Sequence, residues 1–152
     1  MIAELLTNQP FWAAVTASVA AQVIKLLLGI ALDRKWEPAR LLETGGMPSA
    51  HTAAVSALAT ALGVLSGFHS AEFAIAAVFG FIVMYDAAGV RRAAGEQGLL
   101  LNQLTAALRH ILEDFRPPVV RELLGHTYVE VFAGLILGIG SALIQLLAWP
   151  AS

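Results

Sequence analysis

The sequence predicts an all-α, polytopic transmembrane helical bundle, and three observations carry that expectation. Of its 152 residues, 58% are hydrophobic and only 13% are charged, against about 25% charged in a soluble domain. The apolar residues gather in stretches long enough to cross a bilayer, which takes roughly 17–25 of them. Alanine and leucine dominate those stretches and strand signals are weak, which favours helix. The same figures exclude a disordered tail and an ordinary soluble domain. There is no cysteine, so disulfides, thiol catalysis and Cys-based metal sites are excluded. A net charge of −2 argues against nucleic acid as a partner. The length fits one integral membrane domain, residues 1–152.

About four spans are expected, over residues 10–32, 49–67, 70–90 and 127–149. The first opens on Pro10, which suits a first helical turn, and holds Lys25 as its one internal charge. The segment before it, MIAELLTNQP, lacks the basic start of a signal peptide, so this span is expected to be retained. The second is rich in Ala, Ser and Thr. Only GFHS separates it from the third, which predicts an antiparallel hairpin. The third carries Asp86 near its end and the fourth Glu130 near its start. In the connection between them, Leu99, Leu100, Gln103, Leu104, Ala107, Leu108, Ile111 and Leu112 recur at helical spacing, opposite Asn102, Arg109, Glu113 and Asp114. That pattern predicts an amphipathic or re-entrant helix, ended by Pro117-Pro118. Gly134 and Gly138 form a G-x-x-x-G in span four, which seats either a neighbouring helix of this chain or a second subunit.

Eight of the nine Lys and Arg residues fall in the 1–2 and 3–4 connections: Arg34, Lys35, Arg40, Arg91, Arg92, Arg109, Arg116 and Arg121. Lys25 lies in the half of span one nearest the same face and can snorkel toward it. The positive-inside rule then puts both connections in the cytoplasm and both termini outside.

An up-down topology brings four polar segments to one end of the bundle: Lys25 and Asp33-Arg34; GGMPSAHTA; YDAAGVRR; and GHTYVEV. Ionisable groups inside spans are costly and usually mark function. In GGMPSAH, the glycines, Gly46 among them, permit close backbone approach. Ser49 stands at a helix start, where unpaired N–H groups and a positive dipole hold anions, and His51 follows within a turn as a proton donor. Read alone, this is equally a helix cap carrying a solvated histidine. His126 and Glu130 are four apart and share a helix face. A carboxylate on one ring nitrogen leaves the other free to attack; the plainer alternative is an interfacial histidine whose glutamate pairs with an arginine. Asp86 is placed to neutralise Lys25 or an arginine. Arg91 and Arg92 can clamp a phosphate or serve as ordinary juxtamembrane basic residues. His69 and His110 read as structural. No metal spacing is evident, and neither metal nor cofactor is expected.

The combination GGMPSAHTA, YDAAGVRRAAGEQ and LLGHTYVEVFAG closely resembles the divergent branch of the type-2 phosphatidic acid phosphatase superfamily, which also includes lipid phosphate phosphatases and vanadium-dependent haloperoxidases. The resemblance runs from about Trp12 to Gly138. It implies that Pro48-Ser49-Ala50-His51 is the PSGH motif, with Ser49 and the backbone binding phosphate and His51 protonating the leaving group. It implies that His126 is the nucleophile and Glu130 its orienting acid, Glu replacing the family's Asp. Arg121 lies one residue nearer His126 than the family's arginine. Lys25 matches the lysine of the first motif, but Leu32 occupies that motif's arginine position. Arg91 or Arg92 is expected to supply the missing clamp.

The expected activity is metal-independent hydrolysis of a lipid phosphate or isoprenyl diphosphate through a phosphohistidine, in a bacterial cytoplasmic membrane. The alternatives are a non-catalytic lipid-phosphate binder or transporter on the same scaffold, and a purely structural membrane protein. Four spans are few to enclose a lipid, so a homodimer is among the expected partners, beside the lipid substrate and the bilayer.

Overall fold

The computed structural model describes residues 2–33, 46–108 and 125–149. All regular structure among them is helical: α1 (Ile2–Leu6), α2 (Gln9–Asp33), α3 (Ala50–Leu65), α4 (Ala71–Tyr85), α5 (Arg91–Leu108) and α6 (Tyr128–Ala148), with a π-helical turn, Asp86–Val90, joining α4 to α5. Three stretches are long and apolar enough to cross a membrane: Gln9–Ala31, Ala71–Leu108 and Tyr128–Ala148.

The second expected span departs from this pattern. α3 has 16 residues, about 24 Å at 1.5 Å per residue, which is short for a hydrocarbon layer of about 30 Å. Capping at both ends sets its length. Ser49 caps the start, and Gly67 turns the chain at φ +92°, a conformation that disfavours any side chain. The ring of Phe68 then folds against Gly63 and meets Phe73 edge-on at 5.0 Å. Ser70 caps α4 by accepting from Phe73 N–H at 3.2 Å. The expected antiparallel hairpin is therefore present, closed by a cap at each side of the turn. α3 is central, with α2, α4 and α6 all packed on it. Shielded on three sides, it can carry the buried polar residues Ser49, Thr52 and Ser56.

The core is built of small residues. Apart from Val55, every buried hydrophobic residue described is an alanine. Ala13, Ala17, Ala21 and then Lys25 form a stripe of period four on α2, and Gly134, Gly138 and Ala142 do the same on α6. Large side chains point outward: Ile75 is 71% exposed and Leu147 84%. In lipid, burying leucine gains nothing over leaving it in the acyl chains, so helices associate through close backbone approach. That physics explains both the alanine interior and the leucine exterior. The G-x-x-x-G of span four seats a helix of the same chain: Gly134 lies against Ser49 and Thr52, and Gly138 against Ala53 and Ser56.

Those contacts run in register, so α6 is parallel to α3. α2 runs the other way, and a polar clasp at its start shows it. Gln9 Nε2 donates to the Trp149 carbonyl at 3.0 Å, Gln145 Nε2 to the Gln9 carbonyl at 3.3 Å, and Thr16 Oγ1 to Gln145 Oε1 at 2.7 Å. The opposite end of the bundle therefore gathers the end of α2, the starts of α3 and α6, and the π-helical turn.

The amphipathic helix expected in the 3–4 connection differs in its attachment. It is not a separate element. α5 continues from α4 through the π-turn, because the segment DAAGVRRAAGEQ holds no proline to stop it. Gly95 and Gly98 are buried, while Leu99, Leu100, Leu101 and Leu104 are exposed. The remainder of the expected pattern, with Arg109, Ile111, Leu112 and Pro117-Pro118, lies outside the described residues, as do Arg34, Lys35, Arg40 and Arg121.

Candidate functional site

The site end is assembled from two capped helix starts that are bonded to each other. At α3, Ser49 Oγ accepts from Thr52 N–H at 3.4 Å and from Thr52 Oγ1 at 3.1 Å; both residues are fully buried. At α6, Thr127 Oγ1 accepts from Glu130 N–H at 3.3 Å and Glu130 Oε2 accepts from Thr127 N–H at 2.9 Å. This is a reciprocal capping box, and such a cap contributes about 1 kcal/mol. The two starts are joined by Ser49 N–H, which donates to the Glu130 carbonyl at 3.0 Å.

His126 immediately precedes that capping box. It is 5% exposed, and its Nδ1 lies 3.2 Å from Glu130 Oε2. A carboxylate oxygen can only accept, so Nδ1 is the donor in this contact, and in the neutral ring that leaves the lone pair on Nε2. Glu130 thus does two jobs with one oxygen: it caps α6 and fixes the histidine tautomer. Its negative charge is favoured by the positive end of the helix dipole. The His126 backbone is held as well, its N–H donating to the Ala87 carbonyl of the π-turn at 3.0 Å.

Lys25 enters from α2 at the end of the alanine stripe and is 8% exposed. Its aliphatic stem runs beside Gly46, 3.5 Å from where a Cβ of that residue would stand. Gly46 has φ +82° and the following Met47–Pro48 peptide bond is cis; together they carry the chain into Ser49. His51, the second residue of α3, is exposed on the rim of the same end. Asp86 opens the π-turn and is half-buried.

Lys25, Gly46, Ser49, His126 and Glu130 are therefore drawn to one end, with His51 beside them on the outside. Arg92 is differently engaged. Its Nε bonds Glu96 Oε1 at 3.2 Å, and both side chains are more than half exposed, an i,i+4 pair of small energetic value. The Arg91 side chain and all of Arg121 lie outside the described residues. Among the described residues no three His, Asp or Glu are grouped to hold a metal ion.

Sequence reasoning missed three contributors. Thr127 was legible, because T-x-x-E before an apolar run signals a capping box, but the His–Glu spacing draws the eye first. Thr52 is a second hydroxyl on the α3 cap. The Ala87 carbonyl carries no side-chain signal.

The family model described as Divergent PAP2 family matches residues 6–141. A protein of Bacillus subtilis (strain 168), named Uncharacterized membrane protein YuiD, is 41% identical over 146 residues, covering 90% of this chain and 92% of that protein. No solved structure matches. With its apolar helices, its alanine core and a family match across nearly all its length, the chain is a membrane protein that belongs to the Divergent PAP2 family.

Proposed function

We propose that the chain is a lipid phosphate or diphosphate phosphatase working through a phosphohistidine, in a four-pass bundle completed by α3. The observation that carries this reading is the buried His126 whose Nδ1 is taken by Glu130, at the same end as Lys25 and the Ser49 cap. The phosphoryl group of a lipid head lies against the Lys25 ammonium and the α3 start, which stabilise charge on its oxygens. His126 Nε2 attacks phosphorus and the bond from phosphorus to the leaving oxygen breaks. His51 gives that oxygen a proton. Water then attacks the phosphohistidine, His51 takes the water's proton, and inorganic phosphate leaves with His126 regenerated.

The test is phosphate release by purified protein from phosphatidate, phosphatidylglycerol phosphate and an isoprenyl diphosphate, with and without EDTA and vanadate. Release is expected from at least one of them, unchanged by EDTA and suppressed by vanadate, which mimics five-coordinate phosphorus. Loss of all release in EDTA would point instead to metal-assisted hydrolysis.

One observation favours a second reading, a non-catalytic lipid-phosphate binder. The arginine clamp that transition-state stabilisation calls for is not in place: Leu32 stands at the first motif's arginine position, and the Arg92 guanidinium is engaged with Glu96. Saturable binding of these lipids with no release from any would decide for it.

In the bacterial cytoplasmic membrane we place this end on the cytoplasmic side, from the Lys and Arg distribution. Protease added outside sealed right-side-out vesicles is expected to remove tags from both termini; protected tags would reverse the orientation.

A further inference from the structure

We propose that the Ala87 carbonyl and Gly125 form a backbone clamp that positions His126, making Gly125 a positioning residue for the phosphoryl transfer; this rests on the phosphatase reading above. A π-turn interrupts the i→i−4 hydrogen-bond ladder, and such interruptions recur at functional sites. Here the Ala87 carbonyl takes a donor from outside its own helix, the His126 N–H at 3.0 Å. The next amide, Thr127 N–H, goes to Glu130 Oε2 at 2.9 Å. Two consecutive amides and one ring nitrogen of the histidine segment are thus tied to fixed groups.

Gly125 supplies the close approach this needs. A Cβ there would stand 2.5 Å from Arg92 Cα and 2.8 Å from Arg92 Cβ, and would also overlap Arg92 N. Two of those three atoms are backbone, so no rotamer change relieves the overlap. The requirement is one of space and not of dihedral angle, since among the described residues the positive-φ glycines are Gly46 and Gly67. Ala87 and Ala88 are 4% and 7% exposed, small enough for the histidine segment to sit against the turn. Gly89, within the same turn, has nothing within 4 Å of its Cβ position, so it serves as a matched control. On this view the YDAAGVRR segment acts through the backbone it offers to His126, while the Arg92 side chain turns outward to Glu96.

The experiment compares wild type, Gly125→Ala and Gly89→Ala in detergent. The rate of His126 acylation by diethyl pyrocarbonate is read by peptide mass spectrometry against exposed His69 in the same sample, and kcat and KM are measured on phosphatidate micelles. In Gly125→Ala, His126 is expected to label at least fivefold faster and kcat to fall at least tenfold, with KM changed less than twofold. Gly89→Ala should match wild type throughout. Unchanged His126 labelling in Gly125→Ala, or equal changes in both variants, would overturn the clamp. If wild type releases no phosphate from phosphatidate, phosphatidylglycerol phosphate or an isoprenyl diphosphate while Gly125→Ala still unmasks His126, the phosphatase reading fails and the clamp stands. If Gly125→Ala does not fold, hydrogen exchange on wild type decides. The His126 amide should exchange at least tenfold slower than in an unstructured peptide, and unprotected exchange refutes the Ala87 bond.

Discussion

Replacing His126 by alanine is expected to reduce phosphate release by roughly 10³-fold or more, as loss of a nucleophile does, from every lipid phosphate the protein accepts. The position of His126 is defined three times: by Glu130 on Nδ1, by Ala87 on the backbone amide and by burial at 5% exposure. Glu130→Gln separates charge from geometry. Its amide oxygen can still accept from Thr127 N–H and from Nδ1, so the cap and the tautomer survive. What is lost is the negative charge facing an imidazole that becomes positive as the N–P bond forms, worth about 10²-fold at the lower end for such groups. A His51→Asn variant should behave differently again. Its defect is expected to be larger for a phosphomonoester, whose alkoxide leaving group needs a proton, than for a diphosphate, whose phosphate leaving group does not. Phosphate release by the three variants on both substrate types is the measurement. Equal rates in wild type and His126→Ala would remove His126 as nucleophile, and a His51 effect on the first-turnover phosphorylation step that is equal for both substrates would remove His51 as the acid.

The parts of this site that were legible in the sequence are those set by long-range arithmetic. Four alternating apolar stretches place Lys25, Ser49, Asp86 and His126 at one end whatever their local geometry, and the hydrogen bonds from Ser49 to Glu130 and from His126 to Ala87 join two pairs of those segments. The spacing of His126 and Glu130 similarly implies a shared face, and the G-x-x-x-G implies a close helix contact. What the sequence hid depends on single residues and on backbone. A π-turn changes the helix by one residue without changing composition, so the fusion of α4 with α5 and the role of Ala87 left no trace. The ends of α3, by contrast, were legible: a span over residues 49–67 was expected, and the Ser49 cap and the turn at Gly67 bound the helix. Arg92 looked like a phosphate clamp because basic residues near a membrane attract that reading, yet R-x-x-x-E is also the i,i+4 pair that Arg92 and Glu96 form.

Gly138 is expected to be the position where substitution most damages the fold. Its α-carbon faces α3 at backbone distance, so that a Cβ would overlap the Ala53 carbonyl and stand 2.8 Å from Ser56 Cβ. Neither neighbour can swing aside: one is main chain in the middle of a helix, and the other is the root of a buried side chain. Gly138→Leu must therefore push α6 away from α3. In a bundle held by close packing and not by expulsion of apolar surface from water, the separation loses contacts along the whole stripe through Gly134 and Ala142. A loss of about 3 kcal/mol or more is expected, at the upper end for overpacking. It is measured as the shift in unfolding by SDS titration in detergent micelles. Gly140→Leu is the control, since nothing lies within 4 Å of its Cβ position, and it should stay within about 0.5 kcal/mol of wild type. Gly134→Ala lies between the two cases. Its Cβ meets the Ser49 carbonyl at 2.5 Å and Thr52 Cβ at 3.0 Å, one turn from the bond between Ser49 N–H and the Glu130 carbonyl. Because the displacement falls on the cap itself, activity should fall by a larger factor than stability. If Gly138→Leu and Gly140→Leu unfold alike, the α3–α6 contact is not what holds the bundle together, and the seating of the Ser49 cap on Glu130 loses its physical basis.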